Sequence, residues 1–333
     1  MHRVVVVTLA IALTSSACNG GAHSESATGS ATGSSVAPLT RGSSERAGSA
    51  GSGAAARPRD VAPPPVPVAT APLAHPLLWT VEKDGHTTYF LGTMHIGIDA
   101  ETRLPPIVWN KLDAATTFAM EADLDDPQLA SMIKKSDAPL HKALGDAYWK
   151  KLEDAIGPTM AKAVDDMPPM VSATVLAMKG MPPTFPMDKA LSARATSEHK
   201  AIVFLEPAVN QIEILRRWMD VKAIKMILDQ LPDAEQHAKE MLDAYAEGDE
   251  RKILAINDSE KADALKHGYT SSEYDHELAD LLYGRNAAWI DPLEKLHATG
   301  GGFVAVGALH LIGPRSVLDL LASKGYKVTR VAP

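Results

Sequence analysis

The chain has 333 residues, 45% of them hydrophobic, enough for one or two domains with a sizeable core. Its 33 Lys and Arg are outnumbered by 41 Asp and Glu, and the cations are scattered among the acids. The resulting net charge of −8 argues against nucleic acid as the main partner, because phosphate binding needs a basic face.

The N-terminus reads as an export signal. In "MHRVVVVTLAIALTSSAC" a basic Arg3 precedes a short apolar core, Val4 to Leu13, then small residues and Cys18. The core is too short for a stable span, so residues 1–18 are expected to be a signal peptide. Cys18 is the only cysteine, which rules out an internal disulfide. Its place after Ser16-Ala17 resembles a bacterial lipoprotein cleavage site, with Ser15 where Leu is usual. Lipid attachment at Cys18 is the expectation, and plain secretion or an uncleaved anchor are the alternatives. Residues 19–76 are rich in Gly, Ser, Ala, Thr and Pro and have no apolar periodicity. They are expected to form a disordered tether, since such composition cannot bury enough surface to offset ordering entropy. About 55 flexible residues would reach roughly 40 Å, enough to hold a domain off a membrane surface.

The folded part is expected over 77–333. "LLWTVEKDGHTTYFLGTMH" predicts two strands joined at Lys-Asp-Gly, and "LPPIVWNKLDAA" a helix opening after Pro. "TTFAMEADL" predicts a third strand ending in charge. From Pro127 to Lys200 the pattern is helical, interrupted at "MPPM" and "MPPTFP". "KAIVFLEP" is a short strand, followed by helices to about His297. "GGFVAVGALH" predicts another strand, and "GPRSVLDLLASKGYKVTRV" a helix, a Gly stop and a last strand. The fold class expected is α/β: a central mixed sheet, flanking helices and a helical insert.

Four of these strands end in a residue that can carry chemistry: His95, Glu121, Glu206 and His310. "YFLGTMH" and "FVAVGALH" repeat one phrase, an apolar run closing on Gly-x-x-His. In open α/β sheets ligands sit beyond the carboxyl ends of strands. If the four strands are neighbours and parallel, two imidazoles and two carboxylates converge, a set able to hold a divalent transition metal and leave positions for water. Each Gly is expected to let the chain leave its strand in a tight turn, with positive φ open to it. Taken singly, each His reads as a hydrogen-bonded or exposed strand end, and each Glu as a cap or surface charge. Arg285 in "LYGRNAAWI" is a candidate clamp for a carboxylate or oxyanion, or a solvated helix residue, and Trp289 reads as core. Asp188 in "PMDKAL" reads as a helix N-cap.

These features resemble the TraB/GumN family, which includes the TIKI metalloproteases and bacterial conjugation and pheromone-shutdown proteins. The resemblance runs from Leu77 to Val331 through "LLWTVEKDGHTTYFLGTMHIG", "MEADL", "MDKAL…KAIVFLEPAVNQ", "RNAAWI" and "FVAVGALHLIGPRSVLDLLASKGYKVTRV". It puts the family's marks on His95, His310, Glu121 and Arg285, with Glu206 and Gln211 alongside. Pro207 and Asn210 stand where relatives often carry Thr and a second acid. It implies an erythromycin-esterase/TraB-like fold and metal-dependent peptide hydrolysis, with Mn²⁺ or Co²⁺ suggested and Zn or Fe as further possibilities. In that reading His95, His310, Glu121 and Glu206 hold the metal, His95, His310 and Glu121 serve as bases, and Arg285 holds a developing oxyanion. The expected partners are a peptide or protein substrate and the membrane, through Cys18. The alternative is a non-enzymatic haem- or metal-binding or signalling-inhibitor lipoprotein.

Overall fold

In the computed structural model, residues 71–332 are described, apart from 124, 130–132 and 134. The expected signal peptide, Cys18 and most of the tether lie outside the described residues. The ordered chain includes residues just upstream of 77: Leu73 is 3% exposed, and its amide donates to the Arg103 carbonyl.

Strands β1 (Leu78–Lys83) and β2 (His86–Thr93) form an antiparallel hairpin in which Lys83 faces His86. Its two turn residues, Asp84 and Gly85, have φ of 51° and 82°. That is the left-handed pair a type I′ turn requires, and Asp-Gly is a sequence that tolerates it. A short helix α1 (Ala100–Arg103) and α2 (Pro106–Ala114) lead to β3 (Thr117–Met120). Proline at the start of α2 lacks only an amide hydrogen that would have no intrahelical partner.

The expected insert follows: α3 (Leu140–Leu144), α4 (Asp146–Ile156), α5 (Pro158–Val164), α6 (Pro169–Ala177) and α7 (Met187–Ser197). The prolines of "MPPM" end one helix and open the next. After β4 (Ala201–Phe204) come α8 (Ala208–Trp218), α9 (Val221–Gln230), α10 (Ala234–Glu247), α11 (Glu250–Lys266) and α12 (Ser271–Leu278). A π-helical turn, Ala279–Tyr283, runs into α13 (Gly284–Ala298). Strand β5 (Phe303–Gly307), helix α14 (Val317–Ser323) and β6 (Lys327–Arg330) complete the fold.

The six strands form one mixed sheet in the order β4-β3-β5-β2-β1-β6. β4, β3, β5 and β2 are mutually parallel, while β1 runs antiparallel to β2 and β6. Every residue of β5 is buried, which is why "FVAVG" is continuously apolar or small rather than alternating. Phe118 of β3 lies opposite Phe303 of β5, with ring centroids 6.4 Å apart in a stacked pair. The sheet core joins Leu91, Phe118, Phe303, Val304 and Trp289. A second apolar core links the insert with α8 and α9 through Leu152, Met170, Leu176, Ile212 and Ile224.

Candidate functional site

Parallel strands end on the same edge, so the residues after β2, β3, β4 and β5 emerge together. Thr93 is paired with Gly307, and Met120 with both Ala305 and Phe204. The next residues along these strands lead to His95, Glu121, Glu206 and His310. The structure therefore brings the four sequence-selected residues to one edge of one sheet. His95, Glu121 and His310 are 8%, 6% and 3% exposed, and Arg285, from the first turn of α13, is 9% exposed.

The side chains divide into two groups. In the first, His95 Nδ1 makes a very short hydrogen bond to Asp188 Oδ2, and Thr93 Oγ1 donates to Asp188 Oδ1 at 2.8 Å. Because Nδ1 faces a carboxylate, it carries the proton, and the lone pair of the neutral ring lies on Nε2. Nε2 is buried and has no hydrogen-bond partner. Burial opposes charging this ring, but the Asp188 carboxylate, its hydrogen bond and the nearby Glu121 outweigh that and raise the His95 pKa. A carboxylate-backed imidazole with an open, basic Nε2 is the arrangement of a general base.

The second group centres on Arg285. Its Nη2 donates to Glu121 Oε2 and Glu206 Oε1, both at 2.6 Å, and its Nε to Glu206 Oε1 at 2.8 Å. Its Nη1 donates to the Leu281 carbonyl and to His310 Nε2, both at 3.1 Å. Asn286 fixes the other side of His310: its Nδ2 donates to the Arg315 carbonyl at 2.9 Å, which leaves Oδ1 to accept from His310 Nδ1 at 2.6 Å. His310 is thus a neutral ring with both nitrogens engaged. Burial lowers its pKa, with Arg285 adding to the effect against the pull of Glu121, and holds it at about 3. Glu121 also accepts from the Gly307 amide at 2.8 Å. Burial works against its ionised form, but Arg285, the two histidines and that amide hold its pKa at about 2. Gln211 Nε2 donates to Glu206 at 2.8 Å and to Glu121 at 3.3 Å. Trp289 is core, as expected, and also walls the site, its ring 4.4 Å from that of His310.

The glycines of the two repeated phrases work differently from the expectation. Neither Gly92 nor Gly307 has positive φ; Gly307 sits at −51°. Both are required by space. A Cβ at Gly92 would lie 3.1 Å from Ala308 Cα, and one at Gly307 only 2.8 Å from His95 Nε2 and 3.4 Å from Glu121 Oε1. The Gly of each phrase makes room for the other phrase, so the two interlock.

The expected shared metal centre is not assembled in this arrangement. Glu121 Oε2, Glu206 Oε1 and His310 Nε2 are held on Arg285, Glu121 Oε1 takes the Gly307 amide, and His95 Nε2 is left without a partner. Among the described residues no group of three or more His, Cys, Asp or Glu stands where it could hold a metal ion. The donor set as folded does not fit a resident metal. Glu121, with its low pKa and committed oxygens, is poorly suited to act as a base, and Arg285 has no free donor for an oxyanion. Asp188, read from sequence as a cap, is the missed functional residue: Pro186 occupies the N-cap position of α7, and the Asp188 carboxylate turns inward to His95. A cavity of about 30 Å³, room for one water, is lined by both histidines, Gly307, Met241 and Leu282. A cleft of about 440 Å³, lined by Glu206, Pro207, Asn210, Glu213 and Arg285, opens beside the guanidinium.

Fold and site together define an α/β protein with a buried Asp–His pair and an Arg-centred carboxylate cluster at the carboxyl edge of its sheet. The chain belongs to the TraB/PrgY/gumN family, whose sequence profile matches residues 77–330. Among curated proteins it is similar to the uncharacterized protein YbaP of Escherichia coli K12, 25% identical over 243 residues, covering 70% of this chain and 87% of YbaP. The Shigella flexneri YbaP matches equally, 25% identical over 244 residues with the same coverage. No solved structure gives a significant match.

Proposed function

We propose that this protein is an exported hydrolase of acyl bonds, peptide bonds foremost, in which His95 activates water. The observation that carries the reading is the buried, unpartnered Nε2 of His95, backed through Nδ1 by Asp188. Water placed at Nε2 gives up a proton as its oxygen bonds to the carbonyl carbon, and the carbonyl electron pair moves onto its oxygen. Collapse of that intermediate expels the amine, which takes the proton back from His95. Asp188 stabilises the imidazolium, and Thr93 holds Asp188. Such base catalysis is worth about 10²–10⁴-fold. Arg285 acts as a fixed positive charge near the reacting carbonyl rather than as a donor to it. The near-complete burial of the site keeps these charges effective. The cleft beside Glu206 and Arg285 is the proposed way in, and a substrate using it would have to pass the Arg285 cluster to reach the cavity at His95. Lipid attachment at Cys18 would hold the enzyme at the cell envelope.

The test is a peptide-library and ester digest by the full chain, with and without chelator, beside the His95→Gln variant. Cleavage that persists in chelator and falls at least about 100-fold in His95→Gln is expected. No cleavage by the wild type, or equal cleavage by the variant, overturns the reading. Cleavage that needs added Mn²⁺ or Co²⁺ restores the metal-dependent form of it.

A further inference from the structure

Arg285 satisfies itself completely. A guanidinium has five N–H donors. Here Nε meets Glu206, Nη2 meets Glu206 and Glu121, and Nη1 meets His310 and the Leu281 carbonyl. Nothing is left over to bind a ligand. The three side chains it gathers are three of the four that strand topology delivers to this edge as potential metal ligands. The fourth, His95, presents its unpartnered Nε2 toward the same spot, because a Cβ on Gly307 would touch His95 Nε2, Glu121 Oε1 and His310 Cδ2 together. The guanidinium therefore lies among the atoms that an ion of N and O preference would take.

The chain above Arg285 is shaped to put it there. The preceding turn is π-helical, with the Gly284 amide donating to the Ala279 carbonyl five residues back. A Cβ on Gly284 would lie 3.1 Å from that same carbonyl oxygen. π turns are rare and recur at functional positions. This one brings the Leu281 carbonyl within reach of the Arg285 side chain. Charge points the same way. Two buried carboxylates face one guanidinium, so one cation is indispensable here, and its removal leaves an uncompensated buried pair.

We propose that Arg285 is the built-in cation of this site, standing where a divalent metal would otherwise be held: the folded protein takes no divalent ion there, and removing the guanidinium charge opens a metal site formed by Glu121, Glu206, His95 and His310. This stands apart from the hydrolase reading, since neither half of it concerns turnover.

The experiment uses the full chain, stripped with chelator and dialysed against Zn²⁺ or Mn²⁺, with bound metal counted by elemental analysis and melting followed with and without the ion. Four proteins are compared: wild type, Arg285→Met, Arg285→Met/His310→Gln and His310→Gln. Wild type is expected to hold no ion that depends on His310. Arg285→Met is expected to bind one ion per chain and to melt higher with it. The double variant should bind at least tenfold more weakly, as loss of one imidazole ligand predicts. A folded Arg285→Met that binds no metal overturns the proposal. If Arg285→Met does not fold even with the ion present, the wild-type arm decides: one ion per chain, lost in His310→Gln, overturns the proposal, and no such ion upholds the exclusion.

Discussion

Gly307→Ala is the smallest change that tests the site's geometry. The added methyl carbon would lie 2.8 Å from His95 Nε2, where ordinary contact begins at 3.4 Å. Because Gly307 has an ordinary φ of −51°, Ala introduces no backbone strain, and the clash is the whole perturbation. Relief requires the imidazole to withdraw by several tenths of an ångström. The ring is pinned behind by Asp188, itself held by Thr93, so the movement weakens the bond that raises the His95 pKa. Overpacking of this kind costs about 1–3 kcal/mol. For a domain this large that lowers Tm by roughly 2–4 °C per kcal/mol. Displacing the base by a fraction of an ångström should reduce hydrolysis about 10–100-fold. Thermal melts, ring-proton NMR titration of His95 and the peptide digest read the three effects. If Gly307→Ala melts as wild type does and His95 titrates unchanged, the close packing of the two Gly-x-x-His phrases is refuted.

Asp188→Asn keeps the shape but removes the charge, so the His95 pKa should fall from its raised value and the pH at which activity appears should move down, while maximal turnover drops about 10²–10⁴-fold; unchanged turnover in a pH series would sink the role given to Asp188. His310 binds its proton only near pH 3 when folded but near 6.5 when unfolded, so its contribution to stability is present above 6.5 and is lost as pH falls, by roughly 1.4 kcal/mol per unit; denaturant melts of His310→Gln from pH 6.5 to 4 should show a correspondingly shallower fall. Glu121→Gln, which leaves Glu206 to balance Arg285 but weakens the hydrogen bonds from Arg285 and from the Gly307 amide, should cost about 1.5–3 kcal/mol by chemical denaturation. Cells given a fatty-acid analogue should label the wild-type chain and not Cys18→Ala; an unlabelled soluble wild type would leave plain secretion in its place.

Much of the fold is written in local patterns. Asp84-Gly85 signals a tight turn between the runs flanking it, and the short "FVAVG" reads as a strand, which the structure covers on both faces. The edge on which the chemistry would gather was also legible, since it needs only the parallel direction of the strands that end at His95, Glu121, Glu206 and His310. The folded start was less so. Leu73 lies within a Pro-rich run whose composition suggests a tether, yet it is buried by contacts with the rest of the sheet core that no local window contains.

What the sequence does not display is which partner each charged group chooses. Asp188 sits two residues after the Pro of "PMDKAL", where capping is the economical reading. Its role comes from where α7 begins: the Met187 amide donates to the His95 carbonyl at 3.0 Å, and that long-range bond, with the one from Thr93, sets the Asp188 carboxylate against the ring. Arg285 poses the same problem in reverse. Two glutamates carried to one buried edge by parallel strands cannot both remain ionised there unaided, because desolvating a carboxylate costs several kcal/mol. Some cation has to meet them. A bound metal and a helix-borne guanidinium are equivalent answers to that demand at the level of residue types. Only the geometry, with every Arg285 donor spent on the cluster and His95 Nε2 left open, separates the group that balances charge from the group free to accept a proton.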